Sequence, residues 1–307
     1  MQNKVDYHEP VLKEAAIAGL NIKPNGTYVD LTFGGGGHSK AILSALNQDG
    51  KLIAFDKDAD ASANAATFAD DERFALVPYD FCHLRAFLAY FGLSGVDGIL
   101  ADLGVSSHQF DVGSRGFAYR FDGPLDMRMD QTNPLSAATI VNTWPIEDLK
   151  KIFFRYSDLK NAAKIAAAID RFRNDQSIDS TATLKEIIAP LARPAHKKDK
   201  FYAQVFQALR IAVNNELGSL EQFLTDLPEM LNPQGRAVII SYHSKEDKLV
   251  KNLIQSGNIN GKRPEADIYG HFSLPLQNIS RKAIKADAEE IAKNPRARSA
   301  RMRIAEK

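Results

Sequence analysis

The stretch "VDLTFGGGGHSKAILSALNQDGKLIAFDKD", residues 29–58, decides the fold of this 307-residue chain. An apolar strand pattern leads into four consecutive glycines, a helix pattern and a second apolar strand pattern that ends at Asp56. A glycine-rich turn between a strand and a helix lets a ligand approach the backbone and presents helix N–H groups to it. An acidic side chain about twenty residues later is placed to accept hydrogen bonds from two ribose hydroxyls. The stretch therefore predicts a βαβ unit that binds a nucleoside-containing cofactor.

Alternating strand and helix patterns cover the first hundred residues and predict repeated βαβ units. Strands rich in Val, Ile and Leu, with helices between them, indicate a parallel sheet that is buried on both faces. Strand patterns stop after Leu103. An irregular stretch rich in Gly, Ser, Asp and Pro covers 104–135, only helical patterns follow from about 136 to 212, and strand patterns return at Gly235. We predict strands at 26–33, 51–56, 73–80, 96–103, 235–244, 279–284 and 299–306.

The simplest organisation for this pattern is one doubly wound α/β domain that is interrupted by a helical insertion. We predict that residues 1–110 and 212–307 form the α/β domain and that residues 111–211 form the insertion. The insertion is expected to recognise the substrate.

Composition excludes several classes of protein. With 44% hydrophobic and 25% charged residues, the chain is typical of a soluble globular protein. The polar N-terminus has no signal-peptide pattern, and no apolar run approaches the roughly 18 to 20 residues of a membrane span. A single cysteine, Cys82, excludes an internal disulfide framework, and the seven scattered histidines show no metal-binding pair. We expect a cytoplasmic protein without a metal site.

The choice of cofactor depends on the glycine spacing and on the late strands. A nicotinamide dinucleotide favours G-x-G-x-x-G, but Ser39 stands where the third glycine belongs. Asp30 before the glycines, Asp102 at the end of the fourth strand and a late strand pair with an antiparallel last strand favour a methyltransferase. The prediction is a class I S-adenosylmethionine-dependent methyltransferase: a Rossmann-like, mostly parallel seven-stranded sheet with a helical insertion. The alternatives are a methyltransferase that acts on another nucleic-acid amine, a nicotinamide-dependent oxidoreductase, and a glycine turn that is needed only for packing.

Several long motifs then make the sequence specific. They are "TFGGGGHS" (32–39), "DGILADLGVSSHQ" (97–109), "RGFAYRFDGPLDMRMD" (115–130), "VIISYHSKEDKLVK" (238–251) and "NPRARSARMRIAE" (294–306). They resemble the bacterial MraW/RsmH family from end to end. The resemblance implies methylation of the exocyclic N4 of a cytidine in the decoding region of small-subunit ribosomal RNA, with S-adenosylmethionine as the methyl donor. The implied partner is that RNA or the assembling small subunit, and a homodimer remains an open alternative to a monomer.

The resemblance also implies a set of cofactor contacts, transferred one residue at a time. It assigns contacts with the donor to Gly36, Gly37, His38, Asp56, Phe81, Asp102 and Gln109. In this set Asp56 binds the ribose, Phe81 lies at the adenine, and Gln109 and Asp102 lie near the methionine end. Plain structural roles remain alternatives: Phe81 in the core, Gln109 as a surface amide, and His38 as a residue that opens the helix.

Two residues are candidates for the chemistry itself. An acceptor for an N4–H would localise the amine lone pair, and Asp102 is the best candidate by position. However, "DLGV" lacks the [DN]-P-P-[YFW] motif of many amino-methyltransferases. His243 follows the fifth strand, where substrate-side residues collect, but a histidine that bonds the loop backbone fits equally well. The chain also has Tyr242 where the family usually has Phe, and Lys245 where it usually has Leu.

Charge is distributed unevenly along the chain. Residues 1–146 have 11 Lys or Arg against 18 Asp or Glu, whereas 147–210 have 13 against 8 and 245–307 have 14 against 8. The basic blocks indicate surfaces that bind RNA phosphates, although solvated helix faces give the same composition. The candidates in the insertion are Arg171, Arg173, Lys197, Lys198 and Lys200. We expect the glycine-containing segment 122–130 to close over the site.

Overall fold

The computed structural model describes residues 9–262, 264–266 and 273–307. Residues 1–8, to which the signal-peptide prediction refers, lie outside the described residues. The chain divides into two compact units: Met1–Gly104 with Leu217–Lys307, and Val105–Glu216. Within the described residues, no helix has the combined length and apolar character that crossing a membrane requires.

The boundaries of the second unit differ from the predicted 111 and 211. The short helix Ser107–Asp111 and the end of the long helix Lys198–Asn214 both belong to the second unit. Buried apolar residues of the long helix, from Phe201 to Val213, pack in the cluster of the second unit, so the boundary follows the helix to its end.

The first unit contains a seven-stranded sheet with the order β3-β2-β1-β4-β5-β7-β6. Neighbouring strands from β3 to β5 are parallel, and β7 is antiparallel to both β5 and β6. The predicted mostly parallel sheet with an antiparallel last strand is confirmed. The strands are β1 Thr27–Asp30, β2 Lys51–Phe55, β3 Phe74–Val77, β4 Val96–Asp102, β5 Leu231–Ser241, β6 Gln277–Asn278 and β7 Arg301–Glu306.

One predicted strand was placed wrongly. The pattern at 279–284 is not a strand in the structure: β6 covers only Gln277–Asn278, and Ile284 makes an isolated bridge with Met302. Alternating residues in a short polar segment predict strand pairing poorly, because the pairing depends on the neighbouring strand, here β7.

Thirteen α-helices occur in the part of the chain that the structure describes. They are α1 Lys13–Leu20, α2 Gly37–Ala45, α3 Ala59–Ala65, α4 Leu84–Tyr90, α5 Ser107–Asp111, α6 Ala137–Thr143, α7 Ile146–Ser157, α8 Ala162–Arg173, α9 Thr181–Ile188, α10 Lys198–Asn214, α11 Glu216–Met230, α12 Ser244–Ser256 and α13 Ala288–Lys293.

Apolar side chains alternate between the two faces of the sheet, and both faces are covered. Val29 and Ile99 pack with residues of α4, α11 and α12 on one face. Tyr28 and Leu100 pack with residues of α1 and α2 on the other. Successive residues of a strand point to opposite faces, so these near-continuous apolar strands form two cores. Packing on both faces fixes the positions of the strands, and with them the residues at their carboxyl ends.

The second unit is helical and has its own core. In α7, Leu149, Ile152 and Phe153 are buried at the i, i+3, i+4 spacing of an amphipathic helix. They pack with the buried faces of α6, α8, α9 and α10 in one apolar cluster. A core of this size allows the segment to fold as a compact unit.

Candidate active site

The order of strands reverses between β1 and β4, and ligands of open α/β sheets bind beyond the carboxyl ends of the strands at this point. Asp30 is the last residue of β1, and Asp102 is the last residue of β4. Asp56 follows the last residue of β2 directly. Asp30, Asp56 and Asp102 therefore all lie at the carboxyl edge of the sheet.

Gly34 differs from Gly36 and Gly37 in what surrounds it in the turn. Gly34 has φ +51°, and a Cβ placed on it would meet no atom within 4 Å. Its backbone is therefore open to a ligand. Gly36 has φ +75°, and a Cβ there would lie 2.8 Å from Phe68, while a Cβ on Gly37 would lie 2.3 Å from Pro10. Packing therefore requires glycine at these two positions. For Gly36 and Gly37 this agrees with the alternative that the turn needs glycine for packing.

His38 joins the glycine turn to the N-terminal segment. It is 5% exposed, and its Nε2 lies 3.2 Å from the carbonyl oxygen of Val11, so Nε2 carries the proton that it donates. The side chain therefore holds residues 10–12 against the start of α2. A contact between His38 and the donor stays a prediction.

Asp56 fixes the turn through both of its oxygens. Oδ2 accepts a hydrogen bond from the Gly34 N–H at 2.8 Å, and Oδ1 accepts one from the Asp58 N–H at 2.9 Å. Burial raises the pKa of Asp56 to about 6, although both backbone hydrogen bonds lower it; Asp58 and Asp30 add to the increase. A carboxylate at this position is paired with fewer donors than its burial demands, and two ribose hydroxyls would supply them.

Hydrogen bonds that the sequence did not predict join the end of β1 to α2 and to β4. Asp30, which is fully buried, accepts a 2.6 Å hydrogen bond from Ser39 Oγ and a 3.1 Å bond from the Thr32 N–H. Thr32 Oγ1 in turn accepts from the Asp102 N–H at 2.7 Å. Ser39 thus replaces the third glycine for a reason: its hydroxyl ties the helix to the strand end. Asp30 and Ser39 at this spacing were the available signal.

Asp102 is the best placed acceptor at the switch point. Its Oδ1 accepts a 2.7 Å hydrogen bond from the Tyr242 hydroxyl, and no other described residue donates to its carboxylate. Burial raises the pKa of Asp102 to about 6, while His38 and the Tyr242 hydrogen bond lower it. Asp30 and Glu246 raise it further. The group is therefore an ionised acceptor at neutral pH with one uncommitted oxygen.

Phe81 follows β3 in a single helical turn, Phe81–His83. Its ring is partly buried and meets Phe223 edge to face, with the ring centres 6.0 Å apart. Asp80 caps the turn by accepting from the Cys82 N–H and pairs with Lys57 at 2.7 Å. Burial opposes ionisation of Asp80, but Lys57 and the Cys82 hydrogen bond outweigh it and lower the pKa. Phe81 is thus half core and half exposed at the strand edge, which fits an aromatic face against a purine.

These residues fit S-adenosylmethionine as a group. Gly34 leaves the backbone open, α2 presents its unpaired first N–H groups, Asp56 offers carboxylate oxygens, and Phe81 offers an aromatic face. The donor itself supplies a methyl group that is activated by a sulfonium.

The comparison with known proteins decides the family. A model of the MraW methylase family matches residues 6–307. The chain belongs to that family. It is 51% identical to ribosomal RNA small subunit methyltransferase H of Flavobacterium johnsoniae over 100% of both chains. It is 49% identical to the protein of that name from Bacteroides thetaiotaomicron, over 100% of this chain and 99% of the other. The predicted family and the prediction of an S-adenosylmethionine-dependent methyltransferase are confirmed.

Solved structures with a similar fold include a putative rRNA-methylase from Clostridium thermocellum and a putative methyltransferase from Streptococcus mutans in complex with SAH. The first has a TM-score of 0.42 and 12% identity, covering 97% of both chains. The second has a TM-score of 0.40 and 13% identity, covering 95% of this chain and 96% of the other. Similarity at this level is weak, whereas the strand order described above identifies the class I methyltransferase sheet directly.

His243 has the structural role that the sequence left as an alternative. It is the N-cap of α12, and its Nδ1 accepts from the Glu246 N–H at 3.3 Å. Glu246 Oε2 completes the capping box by accepting from the His243 N–H. His243 Nε2 lies 3.1 Å from Glu246 Oε1 without hydrogen-bond geometry. A catalytic role for His243 stays a prediction, and its position is explained by helix capping alone.

Gln109 belongs to the second unit and is buried, not a surface amide. Its Oε1 accepts from the Ser106 N–H at 3.0 Å, and its own N–H donates to Ser106 Oγ at 3.2 Å. This reciprocal pair is a capping box at the start of α5. The contact between Gln109 and the donor stays a prediction.

The segment 122–130 has more internal bonding than a flexible flap requires. Arg128 forms a two-pronged ion pair with Asp126, with Nε–Oδ1 at 2.9 Å and Nη2–Oδ2 at 2.7 Å. Asn214 donates to the Met127 carbonyl and accepts from the Met129 N–H, which anchors the segment to α10. Asp126 and Arg128 are thus occupied with each other.

Some of the predicted phosphate-binding cations are occupied within the fold. Arg173 donates to the carbonyls of Val141 and Trp144 and pairs with Asp170 at 2.6 Å. It therefore ties α8 to the end of α6 and is a structural residue. The other four predicted cations are exposed: Arg171, Lys197, Lys198 and Lys200.

Proposed function

We propose that this chain transfers the methyl group of S-adenosylmethionine to the exocyclic N4 amine of a cytidine in small-subunit ribosomal RNA, near the decoding centre. Membership of the MraW family and the name of its relatives, ribosomal RNA small subunit methyltransferase H, support an RNA substrate. The observation that carries the chemistry is the carboxylate of Asp102 at the switch point, with Oδ1 bonded to Tyr242 and Oδ2 left as an acceptor.

The difficulty of the reaction explains why an acceptor is needed. The lone pair of a cytosine amine is delocalised into the ring, so the nitrogen is a poor nucleophile. A carboxylate that accepts one N4–H localises electron density on nitrogen and orients the lone pair for in-line attack. The new C–N bond forms as the C–S bond breaks, with its electron pair remaining on sulfur. The proton then leaves N4 to Asp102 or to water.

The raised pKa of Asp102, about 6, gives this mechanism a pH dependence. Below that value the carboxyl is protonated and can no longer accept the N4–H, so the transfer rate falls. Above it the group is ionised and the rate reaches a plateau. We expect an acidic limb near pH 6 in the rate at saturating substrates.

RNA must reach this edge as an unstacked base, because a paired cytosine hides its amine. We propose that the second unit recognises the substrate. Arg171 is exposed on α8, and Lys197, Lys198 and Lys200 are exposed at the start of α10. Cations of this kind bind backbone phosphates and hold the strand while the base enters the site.

The test uses purified protein, labelled donor and small subunits from a strain that lacks the enzyme, with large subunits and free ribosomal RNA as parallel substrates. The expected result is donor-dependent labelling of small-subunit RNA, which Asp102→Asn reduces by at least about a hundredfold while the affinity for RNA changes little. Labelling of another RNA or of protein alone would contradict the proposed substrate. Binding of NADH in place of the donor would contradict the reaction class.

Two further points belong to this proposal. A ribosomal RNA substrate places the protein in the cytoplasm. A second copy of the chain is the other proposed partner, and sedimentation at micromolar concentration distinguishes a homodimer from a monomer.

A further inference from the structure

The neighbourhood of Asp102 contains one donor whose role the reaction has not yet explained. The hydroxyl of Tyr242 lies 2.7 Å from Asp102 Oδ1, and it belongs to the residue that directly follows β5. The two residues are adjacent in space because β4 pairs with β5, with Asp102 opposite Ile240. Family members with Phe at this position would have no such hydroxyl.

Tyr242 is held firmly enough to position another group. Its backbone N–H donates to Glu246 Oε2 at 2.9 Å, and Glu246 is 2% exposed. Its ring packs on the apolar cluster on the face of the sheet that α1 and α2 cover. It lies 3.8 Å from where a Cβ on Gly104 would stand. Gly104 has φ +97°, which permits this close turn after β4. The hydroxyl therefore has one place to donate.

Four charged or titratable groups face the pair from the surrounding elements. His38 of α2 and Asp30 of β1 approach Asp102, and Glu246 of α12 approaches both residues. Glu290 of α13 faces Tyr242. Burial, followed by Asp102 itself, raises the pKa of Tyr242 well above its ordinary value, so the hydroxyl stays protonated and donates across the working pH range.

We propose that Tyr242 is a positioning residue: its hydroxyl fixes Oδ1 of Asp102 and favours the carboxylate, which leaves Oδ2 to accept the N–H of the target amine. The hydrogen bond acts in two ways. It orients the carboxylate, and it stabilises the charged form that the reaction needs. This inference rests on the proposed function of Asp102 as the acceptor.

The test compares Tyr242→Phe with the parent, and Tyr28→Phe serves as the matched control. Tyr28 is buried, Tyr242 is partly buried, and each hydroxyl makes a 2.7 Å hydrogen bond. The Tyr28 hydroxyl accepts from the Lys23 N–H at the opposite edge of the sheet. Both variants lose one hydroxyl and keep the ring. Only the first touches Asp102, so a general loss of stability affects both and a positioning role affects one.

Two readouts separate this inference from the proposed function. The acidic limb of the transfer rate should move up by about one pH unit in Tyr242→Phe and stay in place in Tyr28→Phe, because the lost hydrogen bond no longer favours the carboxylate. The donor dissociation constant should change less than about twofold, so the loss appears in the rate below pH 7.

The second readout needs no RNA. The carboxyl carbon resonance of Asp102, assigned by its disappearance in Asp102→Asn, is titrated by NMR in the parent and in both tyrosine variants. A higher midpoint in Tyr242→Phe alone supports the positioning role, whatever RNA the enzyme uses. The same midpoint in Tyr242→Phe and in the parent would overturn it. An unchanged acidic limb together with a raised midpoint would leave Tyr242 acting on Asp102 and show instead that Asp102 is not the acceptor.

Discussion

The substitution Asp56→Asn separates the two roles that the structure gives this carboxylate. Asp56 holds Gly34 in the turn, and its remaining acceptor positions are proposed to bind the ribose of the donor. Asparagine keeps the size and one acceptor oxygen but removes the charge. It turns an NH₂ group toward one of the backbone N–H groups, Gly34 or Asp58, that Asp56 now bonds.

The expected change in stability follows from the raised pKa of Asp56, about 6 against an ordinary 3.8. An acid whose pKa is raised by folding contributes most below its unfolded-state value, and that contribution is lost as pH rises through the folded-state value. Between pH 5 and 7.5 the loss in the free energy of unfolding is about 1 kcal/mol, after allowance for partial exposure to solvent. Asparagine does not titrate, so Asp56→Asn lacks this loss. Other acids with raised pKa values affect parent and variant equally and cancel in the comparison.

Urea unfolding at the two pH values and calorimetry with the donor measure both effects. Relative to the parent, Asp56→Asn should gain about 1 kcal/mol on going from pH 5 to 7.5, and its donor affinity should fall by about ten- to a hundredfold. Asp97→Asn is the control, since Asp97 is a half-buried carboxylate that accepts the Thr27 N–H at the amino edge of the sheet. Equal donor affinity in the parent and Asp56→Asn would refute the ribose role.

The remaining predictions concern the glycine turn and the basic surface. Gly36→Ala should lower the free energy of unfolding by about 2 kcal/mol, because its Cβ would meet Phe68 at a positive φ. Gly34→Ala should lower the free energy of unfolding by about 1 kcal/mol and weaken donor binding more strongly than Gly36→Ala. Urea unfolding measures the first effect and calorimetry with the donor measures the second. Replacing Lys197, Lys198 and Lys200 by alanine should weaken RNA binding at low salt, with a difference that shrinks as salt rises, while donor affinity stays constant. The triple arginine variant retains the charge as its control; equal RNA binding by the alanine variant and the parent at low salt would show that this surface does not hold phosphates.

The local part of this architecture could be predicted from the sequence because it rests on local patterns. Apolar strands that alternate with helices predicted the parallel sheet, and a strand, glycines, a helix and an acid at fixed spacing predicted where Asp56 and the turn would lie. The single misplaced strand, at 279–284, lies in a polar segment whose pairing depends on β7. Strand patterns alone do not contain that information.

The contacts that assemble the site were beyond sequence reasoning, since they join residues that are far apart in the chain. Nothing local to "SYHS" indicates that the Tyr242 hydroxyl reaches Asp102, and nothing local to "RFR" indicates that Arg173 is used up by helix carbonyls. Conversely, His243 and Gln109 attracted functional interpretations because they stand in long motifs. In the structure each of them forms part of a capping box, and helix capping by itself explains why His and Gln stand at these positions.

Nucleoside mapping measures directly whether this protein methylates a cytidine amine and whether Asp102 is needed for the transfer. Small subunits from a strain that lacks the enzyme are treated with the protein and donor, and their RNA is digested and analysed by mass spectrometry, with Asp102→Asn treated in parallel. We predict one new methyl group, on N4 of a single cytidine, with little or none after treatment with Asp102→Asn. A methyl group on a ring carbon, on a ribose or on another base, or equal transfer by Asp102→Asn, would contradict the account.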